Sequence, residues 1–511
     1  MSLRRFQLLG AAVCVPLALG ACSLTRPPSA APAPIPAQWN APLPPPGGSA
    51  ALPHAGSPAA LADWWRQLDD PLLVELIEAA EAASPTLASA AARIGDARAT
   101  SVAAGAALLP NLTGTLSATR SNSQSGSSGT GTSSSTSSSS TSSASIPPMT
   151  TLQAGLQSSW EVDLFGKLRS GRDAASLRLA GADAKWHQAR VSVAADTANL
   201  YFSERACERQ LAVAENDTRS RAETARLNDL SMRAGFTAPA DAALARASAA
   251  DAAGRLTQQR ATCAVSRAGL VALTGIEARA LEQKLAAAPV DRALPAVQSV
   301  ASVPAEALAQ RPDVYSAELD VAAASADVGE AEAQRYPRLS LTGSIGRLQI
   351  RTQGTRQTLD TWSAGPVSLT VPILDGGAYK ANAEAARGRY DEMASIYRGS
   401  VRQAVREVEE ALLNLDSTAS RTGDADTAVQ NYQASFNATQ ARYDSGLASL
   451  FELEDSRRTL LTAQTARVAL QRERAEAWVA LYRAMGGGWA RPDAAAPLAM
   501  TRQETTTTKS P

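Results

Sequence analysis

Apolar and polar positions alternate in four short stretches. They are centred on Leu112, Gly114 and Leu116, on Leu152, Ala154 and Leu156, on Leu339 and Leu341, and on Val367, Leu369 and Val371. A period of two puts apolar side chains on one face of a strand and polar ones on the other, as a wall between lipid and water requires. A half-buried soluble hairpin would show the same pattern. Strands are expected near 111–120, 150–160, 338–348 and 364–372, with Trp160, Tyr336 and Trp362 at strand ends, where aromatic belts form. An uninterrupted helical stretch follows the second strand, roughly Leu168 to Ala234, and would reach about 100 Å at 1.5 Å per residue. Pro239 then sits early in a returning helix, where its missing N–H costs little. Long helical hairpins are therefore expected over 168–274, with its tip near Gly235, and over 377–485, with its tip near Gly446.

The spacing of landmarks shows an internal repeat. Pro85 to Pro110 and Pro312 to Pro337 are both 25 residues, and Gly235 to Gly275 and Gly446 to Gly486 are both 40. Gly166 to Gly235 and Gly377 to Gly446 are both 69. One interval differs: Pro110 to Gly166 is 56 and Pro337 to Gly377 is 40. The surplus falls where the first copy carries the Ser/Thr/Gly tract Ser121 to Ser145, which is too polar to bury and reads as a flexible loop. The expected organisation is repeat 1 over 61–290 and repeat 2 over 291–490, each with two strands and long helices. Four strands are fewer than the roughly eight of the smallest membrane barrel, so strands that span a membrane here require an oligomer.

The first hairpin also carries a heptad seam. The mirror pairs Leu200/Leu270, Cys207/Cys263 and Ala214/Leu256 each sum to 470, twice 235. Cys207 and Cys263 should face one another, either as a disulfide in an oxidising compartment or as two buried thiols. Copy two has Thr418 and Arg474 at the corresponding places and lacks such a bridge.

Arg4 and Arg5 precede an apolar run, Leu8 to Leu19, that is too short for a membrane helix. It ends in Leu19-Gly20-Ala21-Cys22, which resembles the lipobox of bacterial lipoproteins. The segment 1–21 is then a signal peptide, Cys22 carries a covalent lipid such as palmitate, 22–60 is a Pro/Ala-rich linker and 491–511 a flexible tail. Ser23, in place of an Asp, favours the outer membrane. No later stretch reaches the roughly 18 apolar residues of a spanning helix, so any crossing is made by strands.

Lys+Arg and Asp+Glu both number 49, so bulk charge does not argue for nucleic acid. Enzyme readings find little support. His54 lies in a Pro/Gly-rich linker and His187 in a helix, neither at metal-ligand spacing, and Gly486-Gly487-Gly488 lacks the Lys of a phosphate loop. No catalytic residue, metal or cofactor other than the lipid is expected.

Taken in order, several motifs resemble the TolC-like outer-membrane efflux family, in particular its lipidated members that work with resistance-nodulation-division pumps. They are Asp63-Trp64-Trp65 with Asp70-Pro71, Trp160-Glu161-Val162-Asp163-Leu164-Phe165-Gly166, Arg311-Pro312-Asp313-Val314 and Tyr336-Pro337-Arg338-Leu339-Ser340-Leu341. Further along stand Pro372-Ile373-Leu374-Asp375-Gly376-Gly377, Tyr443-Asp444-Ser445-Gly446 and Gly486-Gly487-Gly488-Trp489. The resemblance covers roughly Asp63 to Trp489. It implies an α+β membrane protein: a homotrimer with a 12-stranded β-barrel continued by an α-helical barrel in the periplasm, docked to a periplasmic adaptor and an inner-membrane pump.

Matching by position puts Glu452 and Asp455 just after the Gly446 turn, with Asp241 in the place of Glu452 in copy one. Threefold symmetry would make such acids a charge ring at a gate; they could equally complement the positive end of a helix. Arg233, Gly235, Phe236, Ser445, Gly446 and Leu447 are the expected adaptor contacts, and Gly166 and Gly376-Gly377 redirect chain from strand to helix. The function implied is passage of small molecules, including drugs, out of the cell through the outer membrane. The competing readings are an outer-membrane duct for protein secretion and a lipid-anchored periplasmic coiled-coil scaffold.

Overall fold

The computed structural model describes residues 26–36, 38–41, 64–121, 148–288, 308–352, 354–489 and 491–492. The signal segment, Cys22, most of the 22–60 linker, Asp63, the tract after Ser121 and the tail beyond 492 lie outside them.

A short 3-10 helix, Trp64–Leu68, opens the ordered elements, followed by α1 (Pro71–Ala83) and α2 (Pro85–Ala106). Strands β1 (Asn111–Ser121) and β2 (Met149–Val162) lead into α3 (Lys167–Arg233), α4 (Pro239–Thr274) and α5 (Ala278–Ala287). The second copy supplies α6 (Pro312–Ala333), β3 (Arg338–Thr352), β4 (Thr355–Thr370), α7 (Ala378–Asp444) and α8 (Leu450–Ala484). No helix among the described residues is long and apolar enough to cross a membrane.

The strands form one antiparallel sheet in the order β1-β2-β3-β4. Two of its features differ from the sequence expectation. Strand β4 begins at Thr355, well before 364, and ends at Thr370. The polar residues before 364 pair along β3, from Leu348↔Leu359 to Thr352↔Thr355, because strand pairing satisfies backbone groups whatever the side chains are. Trp362 consequently lies within β4, opposite Ile345, and not at a strand end. Trp160 does sit near the end of β2, its indole N–H donating to the Leu108 carbonyl at 3.0 Å. Tyr336, just ahead of β3, stacks on Phe165 with ring centroids 4.9 Å apart.

The compact units do not follow the repeat, and their boundaries fall within α2, α3, α6 and α7. Unit 1 holds Asp96–Leu179 and Val321–Met393 with the segment ending at Ala30; unit 2 holds Ala31–Gly95, Ala180–Asp320 and the chain from Ala394 onward. The cause in unit 1 is the pairing of β2 with β3, from Met149↔Thr352 to Val162↔Leu339, which joins strands of different copies.

Unit 2 has a core in which Trp64, Trp65, Leu73, Leu76, Leu270, Leu281, Trp478, Leu481 and Met485 are buried together. Asp70 caps α1, accepting from the Leu73 N–H, and also accepts from the Tyr201 hydroxyl at 2.6 Å. Burial, with that bond, pushes the Tyr201 phenol up to about 12. Arg205 donates to Tyr201 at 3.1 Å and to the Leu285 carbonyl at 3.1 Å, so α1, α3 and α5 are tied by one buried polar chain. Buried polar groups cost little when they are paired in this way.

Candidate functional site: sheet faces and helical tips

Residues opposite one another in a sheet share a face, so the pairing register sorts every strand residue. One face carries Leu112 and Leu116 of β1, Leu152, Leu156 and Trp160 of β2, Leu339, Leu341 and Ile345 of β3, and Trp362, Val367 and Leu369 of β4. These side chains are not packed away: Leu116 is 84% exposed and Trp362 79%. The opposite face presents Thr113, Thr115 and Ser117, then Gln153, Gln157 and Ser159, then Ser340, Thr342 and Ser344. Beyond Ile345 the apolar face gives way to Arg347 and Asp360, cross-strand partners joined by an ion pair at 2.6 Å.

Leu152 to Val162 spans about 34 Å along β2 at 3.4 Å per residue. At the roughly 40° tilt of barrel strands this is a height of about 26 Å, which matches the apolar band of an outer-membrane barrel. Among the described residues, strands β1 and β4 are the edges of the sheet, each with a row of backbone groups that pairs with no other strand. A sheet with one exposed apolar face, one polar face and two open edges is incomplete as a water-soluble or a single-chain membrane structure.

The two hairpin tips are built alike. In copy one the Phe236 N–H donates to the Ser231 carbonyl at 2.9 Å, and Gly235 takes φ +81°. In copy two the Leu447 N–H donates to the Arg442 carbonyl at 2.7 Å, and Gly446 takes φ +74°. The left-handed Gly ends each helix and satisfies its last carbonyls. Phe236, 86% exposed, and Leu447 are thereby held outward beside the exposed Arg233 and Ser445.

Glu452 forms a capping box with Ser449: Ser449 Oγ accepts from the Glu452 N–H at 3.2 Å and Glu452 Oε2 from the Ser449 N–H at 2.9 Å. Asp455 is exposed and paired with Arg458. Asp241 lies in the first turn of α4, whose N-cap Ala238 offers no side-chain oxygen. Glu452 and Asp455 therefore each have a partner within the protomer, the helix start and Arg458, while Asp241 stands near the positive end of its helix.

Unit 2 also holds a buried polar cluster that none of the sequence motifs marks. Arg221 of α3 donates to Asp217 at 2.8 Å, to Ser248 of α4 at 2.5 Å, and to Glu454 of α8. Glu454 also pairs with Arg457, which donates to Thr224 at 3.1 Å. Arg457 is 4% exposed. Asn228 extends the cluster, donating to the Tyr443 hydroxyl at 2.8 Å. The signal was present in the heptads. Arg221 follows Leu200, Cys207 and Ala214 at steps of seven, and Arg457 stands between Leu450, Leu453 and Leu460 at seam spacing. A charge where the period demands an apolar residue marks a buried pair.

Cys207 and Cys263 are joined by a disulfide, with Cα atoms 5.6 Å apart. Further contacts keep the mirror register: Thr218 donates to the Ala252 carbonyl at 3.2 Å, another pair summing to 470. Cys22 lies outside the described residues. Among those residues no group of His, Cys, Asp and Glu is arranged to hold a metal.

Comparison with known proteins agrees with this geometry. The family described as outer membrane efflux protein matches residues 76–276 and 303–487. The pyoverdine export outer membrane protein OpmQ of Pseudomonas putida is 31% identical over 476 residues, covering 93% of this chain and 96% of the relative. The toluene efflux pump outer membrane protein TtgI of Pseudomonas putida is 29% identical over 488 residues, covering 93% and 97%. The crystal structure of the outer membrane protein VceC from Vibrio cholerae superimposes with a TM-score of 0.69 at 26% identity, covering 84% of this chain and 99% of that one. With two-faced strands, paired hairpins and a match through most of its length, the chain belongs to the outer membrane efflux protein family.

Proposed function

We propose that the chain is one subunit of a homotrimeric outer-membrane channel, in which three four-stranded sheets join edge to edge into a 12-stranded barrel. The observation that carries this reading is the sheet itself, with its apolar outer face, polar inner face and two open edges. Closure with two further copies pairs both edges and removes the unsatisfied backbone that a membrane does not tolerate. In this reading the helical hairpins of three chains form a conduit in the periplasm.

The conduit is passive and needs no catalytic group. An inner-membrane pump drives transport, and a periplasmic adaptor docks on the tips through Arg233, Gly235, Phe236, Ser445, Gly446 and Leu447. Glu452, Asp455 and Asp241 form charge rings at the closed end; Glu452 retains its second carboxylate oxygen for this role after capping its helix. Cys22 carries the lipid that anchors the N-terminus. The cargo is a small molecule, by analogy with relatives named for pyoverdine export and toluene efflux. A barrel-less scaffold would leave the exposed apolar face and the two open edges of the sheet without a role.

The test is planar-bilayer recording of purified protein, run beside gels of unheated and heated samples. The expected result is discrete ion conductance together with a heat-sensitive band near three times the 53.0 kDa chain mass. An unheated band at chain mass and silent bilayers, even with the tip acids neutralised, would sink the reading.

A further inference from the structure

Two motifs have no part in a wall, a tip or a gate: Trp64-Trp65 near the start, and Gly486-Gly487-Gly488-Trp489 near the end. Unit 2 brings both to one cavity of about 370 Å³, within the roughly 300–1,000 Å³ range of small-molecule sites. Trp65 and Tyr482 stand side by side on its wall, ring centroids 4.5 Å apart, and Trp489 completes the aromatic lining. Gly487 has φ +59°, and a Cβ there would lie 2.4 Å from Val191. Only glycine lets the chain close this wall. Val74, Ile77 and Val191 supply apolar contact.

The charges lie on exposed or half-buried side chains around this lining. Glu78, Glu81 and Asp183 face Arg66 and Arg190, an excess of one negative charge (three against two). Arg190 Nε lies 3.0 Å from both carboxylate oxygens of Glu81, so that pair neutralises itself. Burial pulls the His187 imidazole below its usual range, against the opposing pull of Asp183, and it adds no positive charge at neutral pH. Aromatic faces attract cations, and a carboxylate at the edge of a low-dielectric cavity does so more strongly than one in open water.

We propose that this cavity is a binding site for a small organic cation, an ammonium group carrying an apolar or aromatic body. The ammonium sits at the rim between Glu78 and Asp183, over the small part of Trp65, Tyr482 and Trp489 that their packing leaves uncovered (5–8% exposed), and the body lies along the edge of Val74, Ile77 and Val191. The purified full-length protein would be titrated with benzyltrimethylammonium, with benzyl alcohol and benzenesulfonate as neutral and anionic matches, and binding followed by calorimetry and ligand-observed NMR. Saturable binding of the cation, roughly tenfold tighter than either match, is expected. The double variant Glu78→Gln/Asp183→Asn alters only exposed side chains and should keep the wild-type circular dichroism while binding the cation about five- to tenfold more weakly. No saturable binding, equal binding of benzenesulfonate, or unchanged affinity in the double variant would overturn the proposal.

Discussion

Glu204 is a carboxylate with 0% exposure inside the first hairpin. Burial pushes its pKa up to about 7, opposed by Ser266 and Arg267 on α4, by Arg205, and assisted by Glu208. Ser266 is its mirror partner in the seam, since 204 and 266 also sum to 470. An acid whose folded pKa lies above its unfolded value favours folding while protonated, and that advantage disappears as pH rises from about 4.5 through about 7. Glu204→Gln should therefore stabilise the hairpin at pH 8, by on the order of 2 kcal/mol, and much less at pH 5. Urea unfolding at the two pH values measures this, and a gain that does not depend on pH would contradict it. The nearby Cys207–Cys263 bond closes a loop with a sequence separation of 56, for which the chain-entropy account gives about 4 kcal/mol. Thiol labelling of the denatured mature protein should detect neither cysteine until a reductant is added.

At the scale of elements, the two faces of the sheet should respond oppositely to charge. Leu116 and Ser117 are neighbours on β1 but point to opposite faces. Leu116→Arg should cost about 2–4 kcal/mol of stability in lipid, whereas Ser117→Arg on the polar face should cost little; refolding titrations into vesicles distinguish them. In the helices, the cluster around Glu454 holds α3, α4 and α8 together. Glu454→Ala leaves Arg221 and Arg457 each short of a carboxylate, at a cost of about 3 kcal/mol. Hydrogen exchange should then accelerate in α8 around Arg457 while the sheet keeps its protection.

For the whole molecule, the acids near the tips act together only if three chains meet. Neutralising Glu452 and Asp455 in the assembled protein should lower cation preference and change the closed-state leak in bilayer recordings. Because Glu452 also caps α8, Glu452→Gln, which keeps an acceptor for the Ser449 N–H, separates loss of charge from loss of the cap. An unaltered preference would leave these acids with their local roles alone.

Features that depend on period and spacing can be read from the residues alone. Alternation located all four strands, equal intervals between glycines located both tips, and a heptad with a mirror sum set the register that faces Cys207 with Cys263. These are local or nearly local regularities, and one face of a strand or one stripe of a helix imposes them directly. Features that depend on partners distant in sequence emerge only when the chain folds. Folding extended β4 back to Thr355 through pairing with β3, and it gathered the strands of both copies into one unit. It also recruited Glu454, not its neighbours Glu452 and Asp455, into the buried cluster with Arg221. The physical reason is common to all three. A backbone N–H or a buried charge must find a partner, and a single chain's pattern shows the need without showing which distant residue meets it.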